Sequence, residues 1–550
     1  MVVAALPGAT PGLLLAATAA SIAGYRSWAH AARAAALGAS LATAWLVHSS
    51  SPLTLNLFSW IELGDLRIDA GVFGDGQTAA LLVLLSLWAV IAPLVSGKPE
   101  GRVGAAMDLA AAGAALAIVA DGAWLTLVGC EVLLAGAFLH AARSSSASAS
   151  RRVLFHTRLG TVALAGTLVF ADSAAAPWSA LLTAAVLVGA WPLHSWLENL
   201  GEGGTGIRLA AALTGVCLLL RFADGLPVAV AAVFILSSVL SVSAAMATQD
   251  LFRAQMLTAA AQGSLVLAAT TVDPVAALLL LAAHGTTQVT HAVGLGRIAA
   301  ALPTVPRRFT DLGGLAAALP WPRWLVMGGT LAACVSAPAL LGHAALAGRG
   351  LAEAGPPGAA VVALLFVLPC LPLTRMALAP FGGPTRHTTT SATPDVRGPR
   401  LAALAALVVA AWLPAGVAWM VTPTPPTSAA AFAAGAGVVI PLAGFLLWRK
   451  GPRGSGIMES PLRMLMADGF GVSRILTACG GAAEATGRFV WTAIDGVLAG
   501  GVPVLLNLGV RAAGWLLARL HDGLSGWAVA TVVGTVGILL WSLGARGSAW

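Results

Sequence analysis

Residues 246–297 read MATQDLFRAQMLTAAAQGSLVLAATTVDPVAALLLLAAHGTTQVTHAVGLGR. Two apolar stretches meet at Val272-Asp273-Pro274, a turn signal, and each is long enough to cross a bilayer as a helix. The second carries His284, Gln288 and His291, which a helix stacks on one face. Polar side chains inside a lipid-spanning helix are costly, and that marks the face as a candidate functional one. The two histidines either relay protons, because imidazole titrates near neutrality, or hydrogen-bond to neighbouring helices. A metal shared between them is disfavoured, since this spacing sets them about 10 Å apart along the axis.

Composition extends that reading to the whole chain. Of 550 residues, 58% are hydrophobic and 9% are charged, with a mean hydropathy of +0.88. A soluble domain carries about 25% charged residues, so lipid must cover this surface. The expected fold is an all-α polytopic membrane bundle. Apolar runs lie near 3–24, 30–48, 78–96, 105–120, 123–142, 153–171, 176–193, 207–222, 226–247, 251–272, 274–296, 324–345, 357–378, 400–421, 428–448 and 527–545. That gives about 14–16 spans, some of them broken. The clusters Arg26/Arg33, Lys98/Arg102, Arg143/Arg151/Arg152, Arg297/Arg307/Arg308, Arg375–Arg400 and Arg449/Lys450/Arg453 each follow an odd-numbered run. The positive-inside rule then places them in the cytoplasm and the N terminus outside. The net charge of +8 is accounted for in this way, without nucleic-acid binding.

Two stretches depart from the spanning pattern. Residues 49–77 read as an external β-hairpin over the bundle. Within 451–526, charges recur too often for a span, and 484–520 reads as an amphipathic helix along a membrane face or a partner. The resulting organisation is 1–104 as N-terminal spans with the hairpin, 105–345 as a core, 346–450 as further spans, 451–526 as the amphipathic region and 527–550 as a last span.

Other chemistry-bearing residues are few. Glu131 lies in the fifth run with no cation beside it in sequence, as a relay carboxylate or a buried structural group. Arg158, in the next run, is either its partner or an arginine reaching the interface. Asp250 and Arg253 read as an ion pair at a helix end, and Trp191 and Trp196 as interface anchors around His194. Five cysteines are scattered singly, so neither a disulfide framework nor a zinc site is expected. No phosphate loop, nucleophile elbow or HExxH occurs, so neither a stand-alone enzyme nor a bound cofactor is expected.

Taken in order, these segments resemble the antiporter-like membrane subunits of respiratory complex I and of the Mrp antiporters, most closely the distal subunit L of NADH–quinone oxidoreductase. LNLFSWIELGDLRIDAGVFGDGQTAALLVLL (55–85) resembles the family's external hairpin and the segment after it. GCEVLLAGAFL (129–139) resembles WExxGLxSYLLI and puts Glu131 at the channel glutamate, while FHTRLG (155–160) resembles FxxxRxGD. WPLHSWLENL (191–200), TQDLFRAQMLTAAAQGS (248–264) and LAAHGTTQVTHAVGL (281–295) resemble LPLxxWLxDAM, TDIKRxLAYSTxSQxG and THAxFKAxLFL. PLTRMALAPFGGPTR (372–386) and ARLHDGLSGWAVATVVG (518–534) resemble the family's FYxxRxxxxxFxGxPR stretch and its ending after the lateral helix.

The resemblance implies a proton-translocating subunit in a bacterial plasma membrane, beside other membrane subunits, carrying protons or sodium. Departures qualify that. The family's channel lysine falls at Leu187, its central lysine at Gln288, and its helix-eight histidine has no counterpart in GTGIRLAAALTG (204–215). The terminal channel lysine is gone, leaving His343 as the nearest titratable residue. His284 matches a family histidine and His291 is additional. A reduced relay through Glu131, Arg158, His284, Gln288, His291 and His343 is one expectation, and a structural paralogue is the other. Two further readings use the same fold: the membrane partner in two-component inorganic-carbon uptake, and a subunit of a multisubunit cation/proton antiporter.

Overall fold

A computed structural model describes residues 6–347, apart from short breaks between elements, together with 368–384, Leu442, Leu446, 471–495 and 502–521. Within these residues the chain is an all-α membrane helix bundle with one hairpin. Helices α1 (Leu6–Ile22) and α2 (Arg26–Ser49) lead into strands β1 (Leu53–Leu63) and β2 (Leu66–Gly74). Helices α3 (Gly76–Ser96), α4 (Arg102–Val119), α5 (Ala123–Ser144), α6 (Ala147–Val169) and α7 (Ala176–Val188) follow. After the short α8 (Ser195–Asn199) come α9 (Thr205–Phe222), α10 (Ala229–Ala247), α11 (Leu251–Thr270), α12 (Pro274–Ala301) and α13 (Pro320–Ala347). Helix α14 is Cys370–Leu378, and α15 (Val472–Asp495) and α16 (Val502–His521) complete the set. The chain divides into two compact units, Met1–Thr477 and Ala478–Trp550. Apart from Leu442 and Leu446, the expected spans at 400–421, 428–448 and 527–545 lie outside the described residues.

The surface of the first unit is apolar where a soluble protein would be polar. Trp28 and Trp45 are each 71% exposed, and Ile22, Val162, Val233 and Trp324 also point outward. Lipid solvates such side chains, and tryptophans suit its interfaces. Ala123–Arg143, Thr205–Phe222 and Ala229–Ala247 are each long and apolar enough to cross a membrane alone, and four shorter helices are comparably apolar. Inside, small residues let helices touch. A Cβ added to Gly113 of α4 would meet the backbone N of Leu133 at 2.2 Å, and one added to Gly129 of α5 would meet that of Ala117 at 2.4 Å. Backbone contact of this kind is how membrane helices gain dispersion energy without a hydrophobic driving force.

The seventh apolar run is a broken helix. Gly189 ends α7 in the left-handed region at φ +71°, and Ala190 N–H donates to Ala185 O at 2.8 Å. Trp196 then folds back, its Nε1–H donating to Val186 O at 2.7 Å. Trp196 is fully buried, so its expected role as an interface anchor is corrected: its indole N–H shares the Val186 carbonyl with the Gly189 N–H and ties the chain after the break back to α7.

The hairpin expected over 49–77 is present, with β1 and β2 antiparallel from Leu53↔Gly74 to Leu63↔Leu66. Within the stretch expected to be amphipathic, the described residues form α15 and α16. Along α15 and α16, Ile475, Phe489, Val504, Leu508, Val510 and Trp515 are exposed, and Glu484 pairs with Arg488 one turn on at 3.7 Å.

Candidate functional site

Helices α11 and α12 form a hairpin whose facing surfaces are polar at its centre. Gln262 of α11 points at α12, and its Oε1 accepts from His284 Nδ1 at 3.1 Å and from Gln288 Nε2 at 3.0 Å. Because that oxygen can only accept, the proton of neutral His284 sits on Nδ1. Farther along α12, His291 Nε2 lies 2.9 Å from Thr330 Oγ1 of α13. The Thr330 hydroxyl donates to Val326 O at 2.9 Å, so His291 donates from Nε2 and its Nδ1 is the free lone pair. The two histidines therefore hold opposite tautomers. His284, Gln288 and His291 are all buried.

Neighbouring helices are pressed against this seam through glycines. A Cβ on Gly285 would lie 1.8 Å from the Trp88 ring of α3, and one on Gly329 of α13 would lie 2.0 Å from Thr290 Oγ1. At these glycines the Trp88 ring and the Thr290 side chain occupy the space a Cβ would need. Several of its atoms have no hydrogen-bond partner among the described residues: Gln288 Oε1, His291 Nδ1, Gln255 Nε2 and Thr287 Oγ1. Buried polar atoms are rarely left so, and ordered water usually supplies the missing bonds.

Glu131 and Arg158 do pair, the guanidinium of α6 bonding both carboxylate oxygens of α5. Their side chains remain 37% and 41% exposed, so the pair is open to its surroundings. No hydrogen bond or ion pair among the described residues joins it to the α11–α12 seam, and the residues read together from the sequence form two places. His343 falls on the last turns of α13, where side chains lie outside the described residues. Leu187, where the channel lysine would fall, is buried in the apolar core.

Other polar groups carry their own corrections. Arg33, read as a loop cation, is buried in α2 and pairs with Asp108 of α4 through Nε at 2.8 Å and Nη2 at 2.7 Å. Arg375, also read as cytoplasmic, is buried in α14. It donates to Met246 O at 2.9 Å and Thr248 O at 3.0 Å, capping α10, with its guanidinium 3.9 Å from the centre of the Phe309 ring. Asp250 caps α11 by accepting from Arg253 N–H at 2.7 Å, whereas the Arg253 side chain reaches Glu198 at 3.1 Å.

Sequence reading had not singled out Gln262 or Asp108. The signal for Gln262 was its place on the polar face that α11 shares with Gln255 and Thr258.

No family model matches the chain, and no curated relative does. Solved structures do. A chain of the Mrp complex from Dietzia sp. aligns with a TM-score of 0.58 at 17% identity, covering 81% of this chain and 96% of that one. A chain of respiratory complex I from Thermus thermophilus with bound NADH aligns with a TM-score of 0.61 at 18% identity, covering 80% and 100%. The fold is shared. It is a membrane-protein fold found in two multisubunit assemblies, and at this identity the likeness speaks for the fold alone.

Proposed function

We propose that the chain is an antiporter-like, proton-translocating subunit of a complex I-type NADH–quinone oxidoreductase or a related redox-driven membrane complex. The observation that carries this reading is the buried α11–α12 seam, set in a fold shared with a chain of complex I. Protons are the cargo that suits imidazole and amide groups best, because a neutral histidine takes a proton on one nitrogen and releases it from the other. The seam holds no lysine, so any relay here is a reduced one of His284, Gln288 and His291, with Glu131 and Arg158 as a separate charged station. Redox cofactors belong to other subunits in this reading. The chain then sits in a bacterial plasma membrane with its N terminus outside, and α15–α16 brace a neighbouring subunit.

The likeness to a chain of the Mrp complex supports a second reading, a subunit of a multisubunit cation/proton antiporter carrying protons or sodium. Gentle purification of the tagged chain, with identification of what co-elutes, separates the two. Redox subunits are expected, and antiporter subunits without them would move the assignment. Recovery as a stable monomer would overturn both. For the transport role, Glu131→Gln should lower proton pumping in vesicles. Unchanged pumping would favour a structural paralogue.

A further inference from the structure

The α11–α12 hairpin repeats its own geometry. Gln255 lies seven residues before Gln262 on α11, and His291 lies seven residues after His284 on α12. Seven residues are nearly two full turns, so each pair shares a helix face. In two antiparallel helices, equal steps away from the connecting turn land at the same height. Gln262 and His284 are in contact, so equal steps place Gln255 and His291 at matching heights about 10 Å farther from the turn. Both are buried, and both present an atom with no partner among the described residues: Gln255 Nε2 and His291 Nδ1.

Those two atoms are chemically complementary. The Thr330 contact fixes the His291 proton on Nε2, which leaves Nδ1 an acceptor, and Gln255 Nε2–H is a donor. No direct hydrogen bond joins them, so the gap calls for an intermediary that accepts on one side and donates on the other. Within one turn of His291 on α12, Thr287 Oγ1 and Gln288 Oε1 are also without partners. A buried water is stable with two to four polar partners, and these atoms are the groups that could hold one.

We infer that Gln255 and His291 form a second polar rung closed by one bound water, which makes the α11–α12 seam a two-rung ladder. Gln255 is then a positioning residue: it holds the water that keeps His291 Nδ1 hydrogen-bonded. The ladder extends the polar path from Gln262 and His284 to Thr330 of α13. Its place in proton transfer rests on the relay reading above; its existence does not.

The test uses the full chain in lipid bilayers, labelled with ¹⁵N-histidine, and reads His291 by solid-state NMR, with His291→Leu assigning the signal. In the wild type, His291 Nδ1 should be an unprotonated nitrogen shifted by hydrogen bonding and should receive polarisation from water protons. Gln255→Leu should move that nitrogen toward its unbonded position and abolish the water transfer, while the His284 signals stay in place. An unchanged His291 signal in Gln255→Leu, or no water transfer in the wild type, overturns the ladder. Should Gln255→Leu fail to fold, the wild-type water transfer and Gln255→Met decide the same question. Transport separates the two inferences: a moved His291 signal with undiminished proton pumping upholds the ladder and overturns the relay, whereas a several-fold fall in pumping supports both.

Discussion

Two buried polar systems in one bundle are built on opposite plans. At α1, α2 and α4, Arg33 and Asp108 form a forked ion pair, with Ser21 Oγ donating to the same carboxylate at 2.9 Å and His30 beside the guanidinium at 3.3 Å. That carboxylate accepts on both oxygens and faces a guanidinium. The α11–α12 seam is built from imidazole, amide and hydroxyl groups, and four of its polar atoms have no protein partner among the described residues. A saturated charge pair in a medium of low dielectric is locked, because moving either member exposes the other. A half-satisfied seam without charged partners can exchange partners and admit water at small cost. The first arrangement fixes helices; the second leaves its side chains room to change partners.

Breaking the locked system should have the largest effect. Asp108→Ala leaves Arg33 buried and unpaired and should cost about 3–5 kcal/mol, read as a loss of thermal stability in detergent. The double change Arg33→Leu with Asp108→Leu should recover most of that loss. If it recovered nothing, the pair would be more than a lock.

At the seam, Gln262→Leu strands the His284 Nδ1–H and the Gln288 amide together. A cost of about 1–3 kcal/mol is expected, measured in the same unfolding assay. A loss as large as that of Asp108→Ala would show the seam to be as rigid as the charged cluster and would erase the contrast.

The half-exposed Glu131–Arg158 pair should matter least for folding. Glu131→Gln should change stability by about 0–1 kcal/mol, so that any loss of pumping in that variant reports on transport instead of on unfolding.

Much of the fold was readable because the bilayer imposes it. Span lengths and the hairpin at β1–β2 follow from apolar length and turn placement; the break after α7 did not, because 176–193 reads as one apolar run. Side-chain partnerships were less readable. Arg33 and Arg375 counted as loop charges because a positive charge near a span's end obeys the positive-inside rule whether it faces water or a buried acceptor. Their partners, Asp108 and the end of α10, lie 75 and 127–130 residues away, beyond any local pattern. Helical spacing on α12 picked out His284, Gln288 and His291 as one face. It could not show that Gln262 answers two of them, because pairing across a hairpin depends on where the turn falls. Glu131 and the seam looked like one system in sequence because both are costly in lipid; the cost is the same, but the places differ.

One residue at the end of α9 has a bearing on how the bundle could change shape. Arg221 donates to Ala120 O at 2.5 Å and to Thr78 Oγ1 at 3.0 Å, bonds Ile118 O as well, and lies 5.7 Å from the Phe73 ring centre. Beside it, Asp121 N–H donates to Gly71 O at 2.9 Å. A single guanidinium thereby ties α3, α4, α9 and the β-hairpin at one end of the molecule. Helices gathered on one peg cannot separate there individually; they tilt together or stay put. Any rearrangement that parts α3, α4 and α9 must then leave that end closed and open at the far one, as a fan does about its rivet.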